Sequence, residues 1–110
     1  MLLNRGELGA VRLLKPETVD AMVVNDLPAD VLAARGGGAM GWGLGNVNVV
    51  LKPEALRYPA RRGEYGWDGT AGTIFWIDPT TKTVILLLTQ NSPPDPGNLR
   101  QRFKTAIQGG

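Results

Sequence analysis

The residue types best suited to chemistry gather in one stretch, Gly63–Thr73, which reads GEYGWDGTAGT. Two acids and two large aromatics stand there among four glycines. In an extended backbone Tyr65, Trp67 and Gly69 project to one side, and Gly66, Asp68 and Thr70 to the other. Gly69 leaves the backbone bare just after Trp67. A bare strand edge can aim a backbone N–H at a ligand oxygen, which is how half of an oxyanion hole is built. Glycine serves a β-bulge or a sheet bend equally well, so spacing alone leaves both readings open. Glu64 and Asp68 lie on one side, roughly 13 Å apart at strand rise. That is too far for a glycosidase pair, and they read as solvated charges at a strand edge.

Other reactive groups are scarce. Ser92 is the only serine, sits in NSPPDP and reads as a turn residue. The spacing S-x-x-K does not occur, and neither His nor Cys is present. Every Ser-His or Cys-His nucleophile within these residues is thereby excluded, and no cofactor or metal site is expected. The net charge is only +2. Its densest basic group, Arg57, Arg61 and Arg62, is no stripe for nucleic acid. Gly36–Gly41 matches G-x-G-x-x-G, but that fingerprint needs a strand before it and a helix after it. Here the order is reversed, which predicts a glycine loop. Val84–Leu88 is too short to span a bilayer, and MLLNRGELG lacks the apolar core of a signal peptide. As the sequence stands, the expectation is a cytoplasmic protein with no membrane partner.

Around that stretch, the pattern predicts the elements that hold it. MLLNRGELG reads as the last turn of a helix, stopped by Gly6 and again by Gly9. A helix starts at Pro16 in LKPETVDAMVVN, where Lys15 is a poor cap. Leu27–Ala34 is ambiguous. Gly41–Leu51 reads as one strand with close backbone neighbours. TAGTIFWIDPTTKTVILLLTQN reads as a hairpin turning at Asp78-Pro79-Thr80-Thr81. The unbroken apolar run Val84–Leu88 predicts a strand buried on both faces. Asn98 is placed to cap a final helix whose Leu99, Phe103, Ala106 and Ile107 share a face. A strand buried on both faces needs two covering layers, and these elements supply little more than one. A sheet with a bare apolar face and a free edge would pair with a second copy.

The lines MLLNRGELGAVRLLKPETVDAM, GWGLG, GEYGWDGTAGTIFWIDP and VILLLTQ, in that order and spacing, resemble the C-terminal third of a serine hydrolase. The group is that of class C β-lactamases, penicillin-binding proteins and family VIII carboxylesterases. The resemblance implies an α+β fold: an antiparallel sheet of about three to four strands, a C-terminal helix on one face and a short N-terminal helix. It makes residues 1–110 one domain, an incomplete β-lactamase/transpeptidase-like fold without the N-terminal strands and the all-α region. Trp67-Asp68-Gly69 stands where the family carries its Lys-Thr-Gly strand motif, so these three are the implied substrate-binding residues. The backbone N–H of Thr70 is the implied oxyanion donor. Trp67 in place of Lys favours an ester over a β-lactam, and Asp68 sets an anion near a developing oxyanion. The nucleophile and base of the family, S-x-x-K, are not in these residues. The resemblance therefore implies a chain inactive alone, partnered by an N-terminal hydrolase segment; the alternative is a non-catalytic, self-associating module.

Overall fold

A computed structural model describes residues 1–109. Glycines and prolines divide them into short elements. Residues 1–6 make a tight turn, in which the amides of Asn4 and Gly6 both donate to the Met1 carbonyl at 3.1 Å. A small hairpin comes next, β1 (Glu7–Leu8) and β2 (Val11–Arg12), turning at Gly9, φ +59°. The second glycine thus reverses a strand, where the sequence reads it as a second helix stop. Helix α1 (Pro16–Met22) begins at Pro16, and the Lys15 side chain makes no capping bond. Helix α2 (Ala29–Ala34) resolves the ambiguous segment, and Gly36–Gly38 form a single 3₁₀ turn, so a loop stands where the fingerprint would need a phosphate cradle.

The main sheet has five antiparallel strands in sequence order: β3 (Met40–Gly43), β4 (Val47–Val50), β5 (Tyr65–Asp68), β6 (Ile74–Asp78) and β7 (Thr83–Leu87). The expected three to four strands become five because Gly41–Leu51 is two strands and a turn. The chain reverses at Leu44–Asn46, where Asn46 takes φ +57°. Asp78 builds the β6–β7 turn as expected: its carboxylate accepts from the Thr80 and Thr81 amides at 2.9 and 3.3 Å and from the Thr81 hydroxyl at 2.7 Å.

The register divides the side chains between two faces. Val49, Tyr65, Ile77 and Val84 share one, as do Trp67, Phe75 and Leu86. Asn48, Gly66, Trp76 and Ile85 share the other, together with Asp68, Ile74 and Leu87. Helix α3 (Leu99–Gln108) covers the second face, its Phe103 against the cluster of Val50, Ile74, Trp76 and Ile85. On the first face Val47, Val49, Tyr65 and Ile77 pack beneath Leu2, Leu3 and Val23. That cover stops short of β7. Contrary to the sequence reading, β7 is the outer strand and is not buried on both faces: Val84 is exposed, and Leu86 and Leu88 are 58% and 78% exposed.

Helix α3 also departs from expectation. Asn98 makes no side-chain cap; the Arg100 amide donates instead to Asp95 Oδ1 at 2.9 Å. Its buried residue is Lys104, while Ala106 and Ile107 face out. The helix is rotated because Lys104 finds a partner on the sheet. Its ammonium meets Glu64 Oε2 at 2.6 Å and lies over the rings of Trp76 and Tyr58.

Candidate functional site at the end of strand β5

Strand β5 is a partition with a cleft on each side. Trp67, opposite Phe75, faces the α1 side. There a cleft of about 350 Å³ is lined by Trp67, Gly69, Thr73, Phe75, Leu86 and Leu88. It is apolar because the side chains of Trp67, Phe75, Leu86 and Leu88 supply most of its lining. Trp67 is 40% exposed, and its ring meets that of Trp42 edge-on, centroids 4.7 Å apart at 88°. Asp68, opposite Ile74, faces α3 and borders a second cleft of about 410 Å³ with Tyr58, Trp76, Arg100 and Lys104.

After Asp68 the chain leaves the sheet and turns back through residues 69–73. The Gly69 amide donates to Thr73 O at 2.7 Å, and the Gly72 amide to Gly69 O at 3.0 Å. Gly72 is needed for this path, and Gly69 leaves room beside the Thr73 hydroxyl. A Cβ at 69 would stand 2.5 Å from Thr73 Oγ1, and Gly72, φ +93°, would drive one into Pro94 O. The stretch is therefore a strand end plus a tight turn, and no bulge interrupts the β5–β6 register.

Four carbonyls of this turn, those of Gly69, Ala71, Gly72 and Thr73, accept hydrogen bonds. Ala71 O accepts from the Thr89 hydroxyl and from the Asn91 amide, each at 2.9 Å. Gly69 O accepts from Arg100 Nη2 at 2.8 Å, and Gly72 O from Arg100 Nε at 3.3 Å. The amides of Thr70 and Ala71, by contrast, donate to nothing among the described residues. A backbone segment with most of its acceptors tied down and two consecutive donors spare is suited to an oxygen anion.

Asp68 does not confront such an anion with a bare charge. Its Oδ2 accepts from Arg100 Nη1 at 2.7 Å, on the α3 side. Glu64 is no solvated edge charge either. It is 1% exposed and accepts from Lys104, from the Arg61 amide at 2.8 Å and from Gln108 at 3.0 Å. Arg100, Thr89 and Asn91 escaped sequence reasoning because they lie 18 to 32 residues from the groups they bond. No local spacing signals such a pairing. Burial and the nearby carboxylates of Glu64 and Asp68 raise the Tyr58 hydroxyl above its ordinary pKa, so it stays a neutral donor on the second cleft.

The antiparallel sheet, the helix returning across one face and the glycine turn closing β5 together describe the α+β fold of β-lactamase-like serine hydrolases. Residues 1–109 match the Beta-lactamase family model, and the chain belongs to that family. Among curated proteins it is similar to two from Mycobacterium tuberculosis: Uncharacterized protein MT1414 of strain CDC 1551 / Oshkosh and Protein Rv1367c of strain ATCC 25618 / H37Rv. Each is 34% identical over 100 residues, covering 84% of this chain and 25% of the relative. The chain thus spans about a quarter of the length of these relatives. Among solved structures, EstCE1, a hydrolase with promiscuous acyltransferase activity, shares the fold at TM-score 0.74 and 22% identity, over 97% of this chain and 27% of that one. Simvastatin synthase (LovD) from Aspergillus terreus, in its LovD6 mutant, is similar at TM-score 0.72 and 27% identity, over 98% of this chain and 30% of that one. Among the described residues no helix is long and apolar enough to cross a membrane.

Proposed function

We propose that this chain supplies the oxyanion-stabilising wall of a serine hydrolase acting on small esters. The nucleophile and base come from another polypeptide segment. The observation that carries this reading is the spare N–H of Thr70, directly after Trp67-Asp68-Gly69 at the end of β5. As a serine from that segment attacks an ester carbonyl, charge develops on the carbonyl oxygen, and the Thr70 amide donates to it. A preorganised donor of this kind contributes about 2.7–4 kcal/mol to the transition state. Trp67 supports an ester over a lactam. An indole offers an apolar wall and a single N–H, and no cation to hold a substrate carboxylate.

The purified chain is expected to leave a p-nitrophenyl ester uncleaved, since removing members of such a catalytic unit lowers kcat by several orders of magnitude. Mixing it with a polypeptide that carries S-x-x-K and the remaining sheet is expected to produce turnover. Hydrolysis by the chain alone, or no gain on mixing, overturns the reading. A second reading, a non-catalytic module that pairs with its own copy, draws on the exposed Val84, Leu86 and Leu88 of the outer strand. It predicts a tight dimer by light scattering, and a stable monomer counts against it.

A further inference from the structure

Every donor arm of the Arg100 side chain that the structure engages goes to the strand end and turn that carry Thr70. Nη1 bonds the Asp68 carboxylate, Nη2 the Gly69 carbonyl and Nε the Gly72 carbonyl. The helix end that presents it is fixed in turn by the Asp95 cap on its own amide. The side chain is 20% exposed, so the fork works in partial shelter from water. A guanidinium is rigid and planar, and can hold three acceptors in one fixed arrangement, which an ammonium on a flexible stem cannot.

We propose that Arg100 is the positioning residue for the Thr70 donor. By holding the carbonyls of Gly69 and Gly72 on the α3 side, it prevents the turn from flipping a peptide toward the site. A flipped carbonyl there would set an acceptor where the developing oxyanion needs a donor. By neutralising Asp68, Arg100 also removes the one negative charge next to that donor. This inference rests on the reading of Thr70 as an oxyanion donor, and it adds the group that keeps Thr70 in place.

The test uses two readouts. In the isotope-labelled chain, Arg100→Gln is expected to lower the exchange protection of the Gly69 and Gly72 amides by about 10-fold, the scale of one lost net hydrogen bond. The Thr70 and Ala71 amide resonances should shift, while the amides of Trp76 and Ile85 stay protected and report an intact sheet. Arg100→Lys, which keeps the charge without the fork, is expected to behave like Arg100→Gln. Unchanged Gly69 and Gly72 protection in Arg100→Gln, or full recovery in Arg100→Lys, overturns the proposal. In the complex with the S-x-x-K polypeptide, Arg100→Gln is expected to lower kcat about 100-fold, as a small misplacement of a catalytic group does, with little change in KM. An equal kcat, or a loss confined to KM, overturns it. A wild-type complex without turnover overturns the hydrolase reading instead, and the exchange readout then still decides whether Arg100 holds the turn.

Discussion

Glu64 and Lys104 are 1% and 2% exposed, so each is a charge taken almost wholly out of water. Either alone would be strongly unfavourable there. Together they are satisfied by a 2.6 Å ion pair, by Gln108 and the Arg61 amide on the carboxylate, and by the Trp76 and Tyr58 rings around the ammonium. Lys104→Met is expected to destabilise the chain by about 3–5 kcal/mol, because it strands a buried carboxylate. Adding Glu64→Gln should recover most of that loss, and urea unfolding of the single and double variants measures both. Asp78 gives a pH signature. Burial opposes its ionisation, but the Thr81 hydroxyl and amide, the Thr80 amide and Arg61 together outweigh it and lower its pKa. The folded carboxyl therefore binds a proton less readily than the unfolded one. Its stabilisation is complete above the unfolded value of about 3.9 and is lost as pH falls through the lower folded value. In thermal unfolding between pH 2 and pH 7, Asp78→Asn is expected to flatten the acid-side fall in Tm.

Strand β5 owes its position to Gly66. A Cβ there would overlap the Phe75 carbonyl oxygen and stand 2.9 Å from Trp76 Cα. Gly66→Ala is expected to push β5 off β6 and to destabilise the chain by about 1–3 kcal/mol, read as a lower urea midpoint. Trp67, the next residue, should then lose its packing, seen as a red-shifted tryptophan emission. Among the elements, the β6–β7 hairpin and α1 were legible because their signals are local: an Asp-Pro turn between apolar runs, and a proline at the first helical position. The β3–β4 reversal was not, since glycines in GWGLGN suit close backbone neighbours as well as a turn. The rotation of α3 was not either. Apolar periodicity points to Ala106 and Ile107, but the buried stripe is chosen by Glu64, 40 residues away.

At the scale of the whole molecule, one end of the sheet stays bare. Trp67 on β5, Phe75 on β6, Leu86 on β7 and Leu88 just beyond it line an apolar cleft open to solvent. Exposed apolar patches of this kind mark interaction surfaces. Leu86→Lys is expected to leave the fold intact, because this side chain is already largely in water. It should weaken association with the proposed complementing polypeptide by about 10-fold, equivalent to ~1.4 kcal/mol. Titrating ester hydrolysis against partner concentration measures the change. If the surface instead joins two copies, the same substitution lowers the mass seen by light scattering from dimer to monomer.

The sequence sufficed for the α+β class, through the order and spacing of the lines that resemble the family, for the absence of a His- or Cys-based nucleophile in these residues, and for singling out Gly63–Thr73. Those properties depend on residue type and on neighbours a few positions apart. The environment of that stretch depended on the folded chain. Asp68 is neutralised by Arg100, Glu64 is buried against Lys104, and the carbonyls of Gly69, Ala71 and Gly72 are held by Thr89, Asn91 and Arg100, while the amides of Thr70 and Ala71 stay spare. All of these partners arrive from 18 to 40 residues away. A charge or hydrogen-bonding group has no fixed character until folding chooses what stands beside it, because desolvation and pairing act through space and not along the chain.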